Sequence, residues 1–235
     1  MSEETQVRFV TIADVHWNQS SDFESNALDA LDLIHDLHDD DPIDFVAVVG
    51  DIVDDDEDAH HDVREEFFDE LPSGVDWYPV AGNHDWATDS EWEDAYDKPK
   101  QQTFEYGDYG FICTDTSEPR TAEFQEADAD FIENGIDEFS DKDGVIIFNH
   151  TAQYGDEAEI WGDRTDDHAV DAPEVVEQFE REEVLAVYQG HNHDINQMVE
   201  YNGTKYIYCC LVGGFRSVDD DWSEVDYGLR VTDLY

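Results

Sequence analysis

Phe45-Val46-Ala47-Val48-Val49-Gly50-Asp51 decides how this chain folds. An unbroken apolar run rich in valine reads as a central parallel strand buried on both faces. The run stops at a glycine and a carboxylate. Four other stretches repeat the arrangement. Val7 to Thr11 leads into Ile12-Ala13-Asp14-Val15-His16, and Trp77 to Ala81 into Gly82-Asn83-His84-Asp85. Val145 to Phe148 leads into Asn149-His150, and Val184 to Tyr188 into Gly190-His191-Asn192-His193. Ligands of open α/β sheets gather outside the carboxyl ends of the strands. Five sets of Asp, Asn and His at such ends therefore meet on one rim, with donors enough for two metal ions.

The segments between these strands fit the same plan. Residues 7–13, 43–49 and 75–80 are predicted strands, and residues 23–38 and 58–71 predicted helices with apolar positions near the helical period. Repeated βαβ order implies parallel pairing with right-handed crossovers. Residues 103–106 and 109–114 read as a hairpin around Gly107-Asp108, and residues 121–139 as a helix. A strand at 144–149 precedes a long Gly- and Asp-rich segment, 151–172, of the kind that is usually functional. A helix begins at Pro173, a strand covers 184–189, and the tail reads as antiparallel, with a turn at Asn202-Gly203. The expectation is one domain over 1–235, with two mixed sheets in a four-layer αββα sandwich. The parallel half is expected to carry the site, and an antiparallel half to supply the second sheet.

The 235 residues hold 63 Asp and Glu against 11 Lys and Arg, a net charge of −52. Disorder does not follow, because aromatics make up 13% and apolar runs recur along the whole chain. The acids are dispersed, which reads as a salt-adapted surface. At 1 M salt the Debye length is about 3 Å, and repulsion between like charges is screened. No basic stripe is present to bind nucleic acid. Cys113, Cys209 and Cys210 fall in apolar runs and imply no disulfide framework. The first residues, Met1-Ser2-Glu3-Glu4, lack the basic-then-apolar pattern of a signal peptide, and no apolar run reaches the 18 or so residues of a membrane span. A cytoplasmic protein is expected.

Each motif alone is weak, but their order is specific. Asp14-x-His16, Gly50-Asp51, Gly82-Asn83-His84-Asp85, His150 and Gly190-His191-x-His193 together resemble the calcineurin-like metallophosphoesterase family over residues 12–193. That resemblance implies that Asp14, His16, Asp51 and His193 hold one metal and that Asp51, Asn83, His150 and His191 hold the other, with Asp51 bridging. Two ions about 3.5–4 Å apart clamp a phosphoryl group and activate a water. Histidine, asparagine and carboxylate donors suit first-row metals better than calcium. Manganese is favoured, with iron, zinc, cobalt and nickel as alternatives.

The resemblance also makes His84 the catalytic histidine, facing the phosphate, where it would stabilise the developing negative charge or protonate the leaving oxygen. Asp54 and Asp85 are the carboxylates expected to support it, Asp54 matching the second acid of the family's Gly-Asp-x-x-Asp pattern. One position departs from that pattern. The family's protein phosphatases carry an arginine after the second acid, and this chain has Asp55. Arg164 and Arg216 are the cations expected at the mouth, and Trp86, Tyr154 and Trp161 could wall it or pack in the core. The expected substrate is a small phosphate ester. A diester is favoured over a monoester, because a dianion asks for more cations than this chain offers. A phosphatase using the same site is the alternative, and a non-catalytic scaffold a remote one.

Overall fold

The computed structural model describes residues 5–154, 169–193, 198–209, 212 and 228–235. In chain order the elements are β1 (Val7–Ile12), α1 (Ser21–Asp40), β2 (Phe45–Val49), α2 (Ala59–Val63), β3 (Asp76–Val80), α3 (Asp89–Tyr96), β4 (Gln102–Tyr106) and β5 (Tyr109–Cys113). There follow α4 (Ala129–Glu138), β6 (Gly144–Phe148), β7 (Ala152–Tyr154), β8 (Ala169–Asp171), α5 (Pro173–Phe179), β9 (Val184–Gln189), β10 (Met198–Tyr201), β11 (Thr204–Tyr208) and β12 (Arg230–Leu234).

Two sheets carry the fold. The first has the order β12-β1-β2-β3, with β1, β2 and β3 parallel and β12 antiparallel along β1. The apolar run that opened the sequence lies in the middle of it, and all five residues of β2 are buried. The second sheet has the order β10-β11-β9-β6-β5-β4. Its four inner strands are mutually parallel, and only the edge strands β4 and β10 run antiparallel to their neighbours. The expected antiparallel second half is thus corrected. β11 follows the Asn202-Gly203 hairpin but lies parallel to β9, and β12 crosses to the first sheet. Both sheets are therefore built to present ligands at their carboxyl ends.

Three apolar layers hold four structural layers together. Val10, Val46 and Val48 face α1, α2 and α3 through Ala27, Ile34, Val63 and Trp92. Phe9, Phe45, Phe111, Phe148 and Tyr188 fill the space between the sheets, with Phe9 stacked on Phe45 at 4.9 Å. Ile112, Ile147 and Val187 back onto α4 and α5 through Ile132, Ile136, Val175 and Phe179. The period of two in a strand makes this possible, since alternate residues of one strand enter different layers.

Helix boundaries differ from expectation in three places. The helix expected over 121–139 begins only at Ala129, because the Asp128 carboxylate accepts from Phe131 N at 3.0 Å and caps it there. The helix expected over 58–71 is α2 continued by a π turn over Arg64–Phe68. α3 was not anticipated, although Thr88-Asp89-Ser90-Glu91 spells a capping box; Glu91 accepts from Thr88 N at 2.8 Å. The described ends of the long segment 151–172 pair as parallel strands β7 and β8.

Candidate metal centre

β1 and β2 do not separate where they stop. Asp14 N donates to Gly50 O at 3.0 Å, His16 N to Asp51 O at 2.9 Å and Trp17 N to Ile52 O at 2.9 Å. Along this zipped pair Asp14, His16 and Asp51 take left-handed backbone, with φ of 54°, 47° and 49°, as does His191 at 63°. Such a conformation costs a non-glycine residue about 1–2 kcal/mol and persists only where the surroundings impose it. Asp14 and His16 thus reach one point through these tight turns, and not through the same-face geometry of an extended strand.

Three groups of donors result: His16, Asp54 and His84 form one, and the other two share a carboxylate. Asp14, His16, Asp51 and His193 offer ligand atoms within 4.8 Å of one another, and so do Asp51, His150 and His191. Asp51 belongs to both. Its carboxylate is 3.7 Å from His16 Nε2 and 3.2 Å from His150 Nε2. His16 Nε2 and His193 Nε2 are 3.2 Å apart, and His193 Nε2 is 3.1 Å from Asp14 Oδ1. Close packing brings this about. At Gly50, where φ is +82°, and at Gly82, an added Cβ would run into the His150 ring.

The far side of each donor is fixed as well. His150 Nδ1 donates to Val49 O at 2.8 Å, which turns Nε2 toward Asp51. His16 Nδ1 donates to Asp54 Oδ1 at 3.1 Å, leaving its Nε2 for the cluster. Asn83 Nδ2 donates to Ala122 O at 3.1 Å, while its buried Oδ1 has no hydrogen-bond partner among the described residues. Ligands whose second atom is held in this way are typical of metal sites. A buried unpartnered carbonyl oxygen beside histidines and carboxylates fits a first-row divalent ion.

The electrostatics agree. Burial opposes ionisation of Asp51, yet His150, His16 and His84 hold its carboxyl well below the usual range. Burial likewise works against charge on His150, and Asp51 outweighs it, raising that ring to about 9. His193 is raised by Asp14 against the same burial.

His84 leans over the centre, partly exposed, with its N–H donating to Asp51 Oδ1 at 2.8 Å. Burial lowers its pKa, but Asp51, Asp55 and Asp54 together raise it. The support expected from Asp54 and Asp85 is distributed differently. Asp54 stands 3.7 Å from His84 Nδ1 and bonds His16 instead. Asp55, which sequence reasoning passed over, accepts from His84 Nδ1 at 2.7 Å. Its turn is left-handed, with φ of 56°, and no sequence motif marks that contact. Asp85 is fully buried and accepts from Ile52 N, Val53 N and Gly82 N at 2.9, 3.0 and 2.8 Å. It ties the Asp51 turn to the Asn83 turn, and its carboxylate bonds these three backbone groups and not the His84 ring. Tyr154 packs against the core beneath α4 and α5, and Trp86 N donates to His84 O at 3.1 Å. Arg164, Arg216 and Trp161 lie outside the described residues.

Two facing sheets whose strand ends meet at a carboxylate common to two donor clusters form a candidate metal centre of the metallohydrolase type. The calcineurin-like phosphoesterase family model matches residues 7–194, and the chain belongs to that family. It is a metal-dependent phosphoesterase. A search of curated proteins returned no significant match. Among solved structures, a dimetal phosphatase from Danio rerio is similar, with TM-score 0.65 at 15% identity over 89% of this chain and 88% of that one. GAP50 of Plasmodium, described as the anchor in the inner membrane complex, gives TM-score 0.59 at 13% identity over 98% and 82%. A candidate 5′-nucleotidase from Staphylococcus aureus gives 0.57 at 14% identity over 88% of this chain but only 49% of its own.

Proposed function

We propose that this chain hydrolyses small phosphate esters with two divalent ions, and that phosphodiesters are its preferred class. One observation carries the reading: the Asp51 carboxylate is common to two donor groups, the one with Asp14, His16 and His193 and the one with His150 and His191. Asp14, His16 and His193 would complete the first ion's set, and Asn83, His150 and His191 the second's. When bound, the ions supply positive charge to the phosphoryl oxygens and acidify a water. Asp54 and Val49 O hold His16 and His150 in the orientation that binding needs. His84 carries a proton to the leaving oxygen, and the surrounding carboxylates favour its protonated form.

The preference for a diester rests on charge. Several described cations are engaged elsewhere: Arg120 with Glu57 and Glu91, Arg181 with Asp137 and Glu183, and Lys100 with Ala87 O and Ser117. A monoanion needs less compensation than a dianion, and Asp55 adds a negative charge beside His84. Phosphomonoester hydrolysis at the same centre is the alternative. The mixed nitrogen and oxygen donors admit manganese, the metal we take first, and equally iron, zinc, cobalt or nickel. Among the described residues no helix is long and apolar enough to cross a membrane. The dispersed acids support a salt-adapted surface, and one domain over 1–235 working in the cytoplasm belongs to the same proposal.

The test is metal-stripped protein refilled with single metals in high salt and assayed on matched mono- and diesters. Activity should return with manganese and be greater on diesters. Asp51→Ala should lose both ions, and full loading of that variant by metal analysis would end the bridging assignment.

A further inference from the structure

We propose that the adjacent carboxylates Asp54 and Asp55 divide between two histidines, Asp54 positioning the ligand His16 and Asp55 positioning the acid His84. The inference rests on the role of His84 given under the proposed function, and it adds a positioning residue that the motifs do not mark.

Distances carry it. His84 Nδ1 is 2.7 Å from Asp55 Oδ1 but 3.7 Å from Asp54 Oδ1, which is outside hydrogen-bond range. Asp54 Oδ1 is taken by His16 Nδ1 at 3.1 Å, with Gln19 Nε2 at 3.5 Å. Neither pairing is an accident of one flexible side chain. Asp54 N donates to Trp17 O at 3.2 Å, which ties that residue to the His16 strand end. Asp55 N donates to His84 O at 3.1 Å, so backbone and side chain of Asp55 grip His84 at two points. The left-handed φ of 56° at Asp55 turns the chain between the two contacts, and aspartate tolerates that conformation better than most residues. With Nδ1 donating to Asp55, His84 is left with Nε2 to face a substrate. A positioned tautomer delivers its proton from one fixed nitrogen, the condition for general-acid work.

Asp55 is partly exposed, so replacing it removes little packing. The experiment is a double-mutant cycle on zinc-loaded protein, read by the ring ¹⁵N shifts of His84 and His16, by metal retention and by turnover on esters of graded leaving group. Asp55→Ala should move the His84 Nδ1 resonance and keep the metal. It should lower turnover about 10–100-fold on poor leaving groups and less on good ones, the range typical of an outer partner. Asp55→Asn, which keeps an acceptor and tolerates the turn, should recover part of the loss. In a His84→Ala background Asp55→Ala should cost nothing further. Asp54→Ala should move the His16 resonances and weaken metal retention. The proposal is overturned if Asp54→Ala, and not Asp55→Ala, moves His84 Nδ1, or if the Asp55 and His84 losses multiply in full. Should His84→Ala keep full turnover, the acid role falls, while the resonances still decide which carboxylate holds the ring.

Discussion

His150 shows how much chemistry a single enclosed ring can report. It has no exposed surface, and its pKa near 9 in the metal-free protein means that it is protonated at neutral pH. A metal must displace that proton to use Nε2. The sign follows: binding releases a proton below about pH 9, so apparent affinity rises with pH and levels off above it. Calorimetric titration in buffers of different ionisation heat should count the released proton, and a pH-independent affinity would contradict the assignment. His84 makes a different prediction. His84→Ala should retain both ions and lose about 10²–10⁴-fold in turnover on esters with poor leaving groups, by steady-state assay with metal analysis alongside. At this scale the sequence was readable wherever a donor ended an apolar run. Six of the seven expected ligand residues fall in the two clusters that share Asp51, and Asn83 follows β3 with its buried Oδ1 unpartnered among the described residues. Asp55 was not readable, because its contact depends on a left-handed turn that residue identity alone does not dictate.

The turns between elements do the work of alignment. Asp85 joins two of them by accepting three buried backbone N–H groups, so Asp85→Ala leaves three donors unsatisfied. The expected loss is about 3 kcal/mol or more by chemical denaturation in high salt, since each buried donor left without a partner costs about 1–3 kcal/mol. Gly50→Ala should be comparably damaging for another reason. The added methyl meets the His150 ring and φ is +82°, so folding and metal binding should fall together in the same measurement. Strands such as β2 and β6 were plain in the sequence because burial on both faces leaves an unbroken apolar run. Helix limits were less so. The apolar spacing of Phe124 and Ala127 continues upstream of α4, yet Asp128 caps the helix and frees Ala122 O to hold Asn83. Periodicity does not distinguish a helical turn from a loop that serves the site. The parallel course of β11 was hidden because a hairpin motif fixes only the pair it joins.

Across the whole molecule, charge and metal act on the same equilibrium. A net charge of −52 destabilises the compact state by self-repulsion, which added salt screens. Melting temperature should therefore climb steeply from dilute to molar KCl at fixed metal concentration, and a flat series would show that the acids are balanced by something other than ions in solution. The donors also come from both sheets: Asp14, His16, Asp51 and Asn83 follow strands of the first, while His150, His191 and His193 follow strands of the second. An ion held among them is then a rivet through two layers, and its grip gauges how those layers are seated. The spacer that sets their separation is the aromatic sheet-to-sheet packing of Phe9, Phe45, Phe111 and Phe148. Phe45 opens β2, at the opposite end of the strand from Asp51. Trimming it would loosen a clamp whose jaws it never touches, so the deep aromatic layer works as a remote adjustment of metal retention.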